Sequence, residues 1–96
     1  MPLIKMEVAI SGKIFLATEA MPEEREAFRV ASQLVREDPI ANSELYRGKT
    51  DSKYALRFFR FGGCVAYFHY IMTGDPQTDL IRVASCKRSK PRRKNE

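Results

Sequence analysis

Arginines interleaved with aromatic rings are the most chemically suggestive feature of this chain. Three apolar segments in its second half carry Arg57, Phe59, Phe61, Phe68, Tyr70 and Arg82. Guanidinium groups among aromatic faces suit stacking on bases or docking of an amphipathic peptide. A second cationic feature is terminal: Lys87, Arg88, Lys90, Arg92, Arg93 and Lys94 stand beside one acid, Glu96. Such a run is ordinarily a solvated, flexible tail, and it can also reach phosphates, adding salt-dependent affinity without sequence preference. Arg47, Lys49 and Lys53 bring further positive charge just before the apolar segments.

Other reactive residue types give less. The one histidine, His69, falls among Leu56, Tyr67 and Ile81, with no Asp or Glu near it on the expected sheet to orient it as a base. That favours a structural, hydrogen-bonded role. Cys64 and Cys86 are far apart in sequence with no CxxC spacing, so a zinc site lacks soft ligands and no metal is expected. Two small buried thiols in a reducing cytoplasm are the ordinary reading, with pairing under oxidation as the alternative. Gly-rich phosphate loops and the GxSxG nucleophile elbow are missing, and nothing points to a cofactor.

Length and charge bound the molecule that positions these groups. The chain has 96 residues, 17 Lys+Arg against 12 Asp+Glu, and a formal net charge of +5. That length fits one domain, expected over residues 1–86, with 87–96 as a basic tail. Its last ten residues hold six bases and one acid, so the first 86 hold eleven of each and are neutral. The charge is also uneven within the body. Residues 1–45 sum to −3 and residues 46–96 to +8, which directs an anionic partner to the C-terminal half. An apolar fraction of 44% supports a packed core. No run approaches the ~18 apolar residues of a membrane span, and the first residues lack a signal-peptide pattern.

Periodicity supplies the elements. Ile4, Met6, Val8 and Ile10 alternate with Lys5 and Glu7, predicting a strand over 3–10. Ser11 suits the cap of a short helix to about Ala20. Pro22 fits the first position of a second helix, with Glu23, Glu24 and Glu26 at its positive end and Arg36 near its negative end. Ala27, Val30, Ala31 and Leu34 are its expected buried stripe. Asp38-Pro39 ends it, and 39–51 reads as a loop. The apolar segments, roughly 52–61, 64–72 and 79–86, are separated by Gly62-Gly63 and by the turn Thr73–Thr78. The expected fold class is α+β: an N-terminal strand, two helices, then a three-stranded antiparallel meander.

A turn on Gly62-Gly63 pairs Arg57 with Phe68, and a second turn near Asp75 would pair Phe68 with Arg82 and Cys64 with Cys86. One face then holds Leu56, Phe58, Arg60, Val65, Tyr67, His69, Ile71, Ile81 and Val83 and is expected to pack on the helices. The other holds Phe59, Phe61, Cys64, Ala66, Phe68 and Tyr70, with Arg57–Phe68–Arg82 as a row across three strands. This second apolar face is either an interface or is covered by the tail or by the 39–51 loop, with the arginines at its edge.

The order of these pieces resembles the RelE/ParE superfamily of bacterial toxins from type II toxin–antitoxin pairs. The resemblance rests on MEVAISGKIF running into a helix and on a second helix ending at Asp38-Pro39. It rests also on Leu45-Tyr46-Arg47-Gly48 followed by Tyr54-Ala-Leu-Arg57, on Gly62-Gly63-Cys64-Val65-Ala66-Tyr67, and on the basic ending Ala84-Ser-Cys-Lys87-Arg88. It implies a curved sheet with helices on one face, in a cytoplasmic prokaryotic protein neutralised by an antitoxin peptide. It further implies action on translation, by mRNA cleavage on the ribosome, or on DNA gyrase. Arg57, Arg60 and Arg88 are the candidates to stabilise a charged phosphorane. Lys53, Phe68, Arg82, Lys87, Lys90, Arg92 and Arg93 are the candidates to bind nucleic acid. Cys64 stands where the family motif has an arginine, the C-terminal tyrosine of ribosome-dependent members is replaced by Arg92, Arg93 or Lys94, and no proton-transfer residue stands out. The alternative function is a non-enzymatic nucleic-acid-binding module using the tail and the arginine–phenylalanine row.

Overall fold

In a computed structural model, which describes residues 3–47 and 55–89, the chain is α+β. Strand β1 (Lys5–Val8) leads into helix α1 (Ile10–Thr18) and helix α2 (Pro22–Glu37). A short strand β2 (Glu44–Leu45) follows, then β3 (Leu56–Phe61), β4 (Cys64–Ile71) and β5 (Leu80–Arg88). The expected meander β3–β4–β5 is the centre of a larger sheet. Its five strands run in the order β1-β5-β4-β3-β2, with β1 parallel to β5 and the other pairs antiparallel. Strand β5 runs two residues past the expected domain boundary at 86 and carries Lys87 and Arg88 within the sheet. Lys53, Lys90, Arg92 and Arg93 lie outside the described residues.

Each element has a local cause. Gly62-Gly63 closes the β3–β4 hairpin, with φ of +63° at Gly62 alone, the pattern of a type II′ turn. Helix α2 begins with Pro22 at its first turn, and Glu24 Oε1 accepts from the Met21 N–H at 2.9 Å. At its far end the Leu34 carbonyl accepts twice, from the Asp38 N–H at 3.1 Å and from the Asn42 side-chain amide at 2.7 Å. Arg36 ties this end to the first strand: its Nε donates to the Ile4 carbonyl at 2.7 Å while its own carbonyl accepts from the Ile4 N–H at 3.0 Å. Helix α1 lies close on the sheet at Gly12, where a Cβ would stand 2.9 Å from Val8 Cγ1 and 3.4 Å from Cys86 Sγ.

Which sheet face the helices cover is a correction to the sequence reading. The core joins Phe15 of α1, Phe28, Ala31 and Val35 of α2, and Phe59, Phe61, Cys64, Ala66, Phe68, Ile81, Val83 and Cys86 of the sheet. For β3 and β4 this is the face expected to lie away from the helices, whereas Ile81 and Val83 of β5 lie in the core as expected. Phe28 meets Phe61 edge-on at 5.0 Å and Phe59 at 5.8 Å, while Phe59 meets Phe68 at 5.9 Å. Both faces of the hairpin are apolar, so alternation alone does not choose between them. On these two strands the buried face carries Phe59, Phe61, Phe68 and Tyr70 beside Arg57, while the other carries both Arg60 and His69 among Leu56, Phe58, Val65, Tyr67 and Ile71. Burying the phenylalanine-rich face therefore leaves more polar groups in water. The α2 stripe turns accordingly: Val35 is buried, while Val30 and Leu34 are each 47% exposed.

A bulge decides the rest. Arg57 pairs with Phe68 as expected, but Phe68 pairs with Val83 and His69 with Arg82. Tyr67 pairs with Ser85, so Ala84 is left over between the two registers. Ser11, expected to cap α1, lies inside its first turn, and its hydroxyl donates to the Ala84 carbonyl at 3.3 Å. Ile81 and Val83 therefore point into the core together with Cys86, and Arg82 and Lys87 point to the opposite face. The row Arg57–Phe68–Arg82 does not form, and Arg57 and Arg82 are on opposite faces. Cys64 pairs with Arg88 and Cys86 with Ala66, and both thiols are free. Among the described residues no helix is long and apolar enough to cross a membrane.

Candidate nucleic-acid interface

The sheet face opposite the helices carries the cations and rings. In register, Arg60, Val65 and Lys87 form one row across β3, β4 and β5, and Phe58, Tyr67 and Ser85 form the next. Val65 is buried at the base of the first row. Arg60 holds its guanidinium 5.6 Å from the Phe58 ring centre, and Lys87 holds its ammonium 5.1 Å from that of Tyr67. Tyr67 also meets Phe58 at 6.0 Å and Tyr46 edge-on at 5.6 Å. Together with Arg88 and Ser89 these side chains line an open groove of about 480 Å³. Ser89 is positioned at its end, with its N–H on the Gly63 carbonyl at 2.9 Å and its hydroxyl 3.5 Å from Arg60 Nη1.

Of the residues expected in a site, this groove brings together Arg60, Lys87 and part of Arg88. Phe68 is fully buried in the core and presents no face to a base. Arg82 is on the groove face but two rows from Lys87, beside Glu7 at 3.8 Å, which offsets its charge. His69 is half-buried next to Arg82 and shares a face with Leu56 and Tyr67 as expected, but that face is the one the helices leave uncovered.

Arg57 and Arg88 are engaged elsewhere. Arg57 projects to the helix side, where Nε donates to Ser43 Oγ at 2.7 Å and Nη2 to the carbonyls of Ser43 at 3.2 Å and Ile40 at 3.3 Å. Arg88 grips Glu24 through two bonds, of 2.8 and 3.0 Å, and donates also to the Glu19 carbonyl at 3.0 Å. The Gly62-Gly63 turn packs on this carboxylate; a Cβ at Gly62 would lie 3.0 Å from Glu24 Cγ. The Arg88 guanidinium, with the Met21 N–H, lowers the Glu24 carboxyl to about 2. Burial, and then the adjacent Glu24 carboxylate, raise the Cys64 thiol, and burial pushes Cys86 up to about 11. Neither thiol has the lowered pKa of a nucleophile.

No family model, curated protein or solved structure matches the chain. Its functional reading therefore rests on the groove and on the residues that build it.

Tyr46, Phe58, Tyr67 and Ser89 are groove residues that sequence reasoning did not single out. Tyr46 and Tyr67 stand inside the quoted family-like motifs, and Phe58 and Tyr67 alternate with Arg60 on one face; that pattern was the available signal. Among the described residues no cluster of three His, Cys, Asp or Glu side chains is placed to hold a metal.

Proposed function

We propose that this chain is a RelE/ParE-like toxin that binds single-stranded RNA across the helix-free face of its sheet and is held inactive by an antitoxin peptide. The observation that carries the proposal is the groove: Arg60 over Phe58 and Lys87 over Tyr67, with Tyr46 as a third ring in its lining. Bases stack on rings whatever their sequence, at about 1–3 kcal/mol each, and the cations meet the phosphates. Translation is favoured over gyrase as the target because the groove offers both base-stacking and phosphate-binding groups. Cleavage in this groove would use Arg60 and Lys87 to stabilise a phosphorane. Arg57 and Arg88 have no part in that step, since their guanidinium groups are committed to Ser43 and Glu24.

Controlled expression without its genomic neighbour tests the proposal. The wild-type chain arrests growth and translation, and Lys87→Glu relieves both at equal protein level. Arrest that persists in Lys87→Glu, or growth and translation unchanged by the wild-type chain, removes the RNA-toxin reading. Gyrase inhibition with intact translation would move the target to DNA topology.

A further inference from the structure

We infer that Arg57 is a positioning residue for the groove: from the helix side of the sheet it holds the segment that carries Tyr46 on the other side. In its functional arm this inference rests on the RNA reading above. Strand β2 has only two residues and pairs at Glu44–Phe58 and Leu45–Arg57. A strand that short on a sheet edge is weakly held by its ladder. Arg57 supplies the missing hold. It is itself the register partner of Leu45, and its guanidinium reaches back to Ser43 Oγ, the Ser43 carbonyl and the Ile40 carbonyl. Ser43 Oγ in turn donates to the Pro39 carbonyl, so the guanidinium and this hydroxyl lock the segment from 39 to 43 as one piece.

The other end of that segment is Tyr46. Its N–H donates to the Leu56 carbonyl at 2.8 Å, and its ring stands perpendicular to Tyr67 as a wall of the groove. Loss of the Arg57 fork unties Ser43 from β3, so Tyr46 then depends on the two ladder pairs, its own N–H on the Leu56 carbonyl and its contact with Tyr67. A planar five-donor fork is suited to several carbonyl and hydroxyl oxygens at once, and a lysine ammonium does not reproduce it. Among the described residues, the oxygens that Arg57 meets are neutral, so it works here as a multi-point clamp and not as half of an ion pair.

The test uses the full chain in two arms. Amide hydrogen exchange and ring-to-ring NOEs report Tyr46 without any ligand. Arg57→Ala speeds exchange at Tyr46 by about tenfold or more, as expected for local opening, and removes the Tyr46–Tyr67 NOE, while Phe68 and Val83 in the core stay protected. Arg57→Lys behaves like Arg57→Ala. Titration with a labelled single-stranded RNA of about ten nucleotides reports the function, and Arg57→Ala weakens binding at least about fivefold, the lower end of a stacked base's worth. In a Tyr46→Ala background the Arg57→Ala change costs nothing further. Unchanged Tyr46 exchange in Arg57→Ala, or losses that multiply in the double variant, would overturn the inference. If reversing Arg60 and Lys87 leaves RNA binding intact, the groove reading fails, and the exchange arm still decides the role of Arg57.

Discussion

Glu24 binds the Arg88 guanidinium with both carboxylate oxygens while the Gly62-Gly63 turn packs on it, so its protonation state matters to the junction of α2 with β5. Its folded pKa, about 2, lies below its ordinary value of 4.5. A depressed carboxylate contributes stability that is present above the unfolded pKa and lost as pH falls through the folded one. Between about pH 5 and about pH 2 the wild-type chain should therefore lose more stability than Glu24→Gln, whose site does not titrate. Urea midpoints at several pH values in that window check this, and parallel profiles would contradict it. Lys87 gives a second test at this scale. If it contacts one phosphate, Lys87→Ala lowers the slope of log K against log salt by about 0.7, the value per contact for a single strand. Arg82→Ala, already offset by Glu7, changes that slope less.

Among the elements, the β4–β5 bulge does most to shape the site, because it turns Lys87 to the groove while keeping Ile81, Val83 and Cys86 in the core. Deleting Ala84 removes the extra residue and leaves an unbroken alternation in which Val83 and Cys86 still face the core and Ser85 and Lys87 still face the groove. The deletion, like Ala84→Ser, should therefore keep the groove and its RNA affinity; RNA titration decides, and loss of affinity in the deletion would contradict this reading of the bulge. Phe68→Ala, by contrast, removes a fully buried ring and should cost about 3–5 kcal/mol in chemical denaturation.

These elements also show what the chain makes legible. The β3–β4 hairpin could be placed residue by residue because Gly62-Gly63 marks a two-residue turn, and a turn of known length sets the register. Pro22 and Asp38-Pro39 likewise mark both ends of α2. The β5 register was not legible, since the bulge falls in Val83-Ala84-Ser85, which carries no Gly or Pro to announce it. Nor was β2, because two residues make no periodic signal, and its hold comes from Arg57, a residue distant in sequence. The wrong face was assigned to the helices because both faces of β3 and β4 are apolar. Correcting it moves Phe68 from the site to the core and brings Tyr67 to the groove.

Over the whole molecule, charge and shape agree on one side. The groove cations Arg60 and Lys87 stand on strands β3 and β5. The acidic excess lies in residues 1–45, with the helices that cover the other face. On the proposed function, a single-stranded polyanion should be drawn to the sheet side with an affinity that falls with salt. We propose that the groove formed by Arg60, Lys87, Tyr46, Phe58 and Tyr67 grips single-stranded RNA. Its most direct test is the equilibrium affinity of the full chain for a labelled single-stranded RNA, compared with that of the double variant Arg60→Glu/Lys87→Glu at equal Tm. A loss of about tenfold or more is expected, from two phosphate contacts turned repulsive. Unchanged affinity in the double variant, with the fold intact, would contradict it.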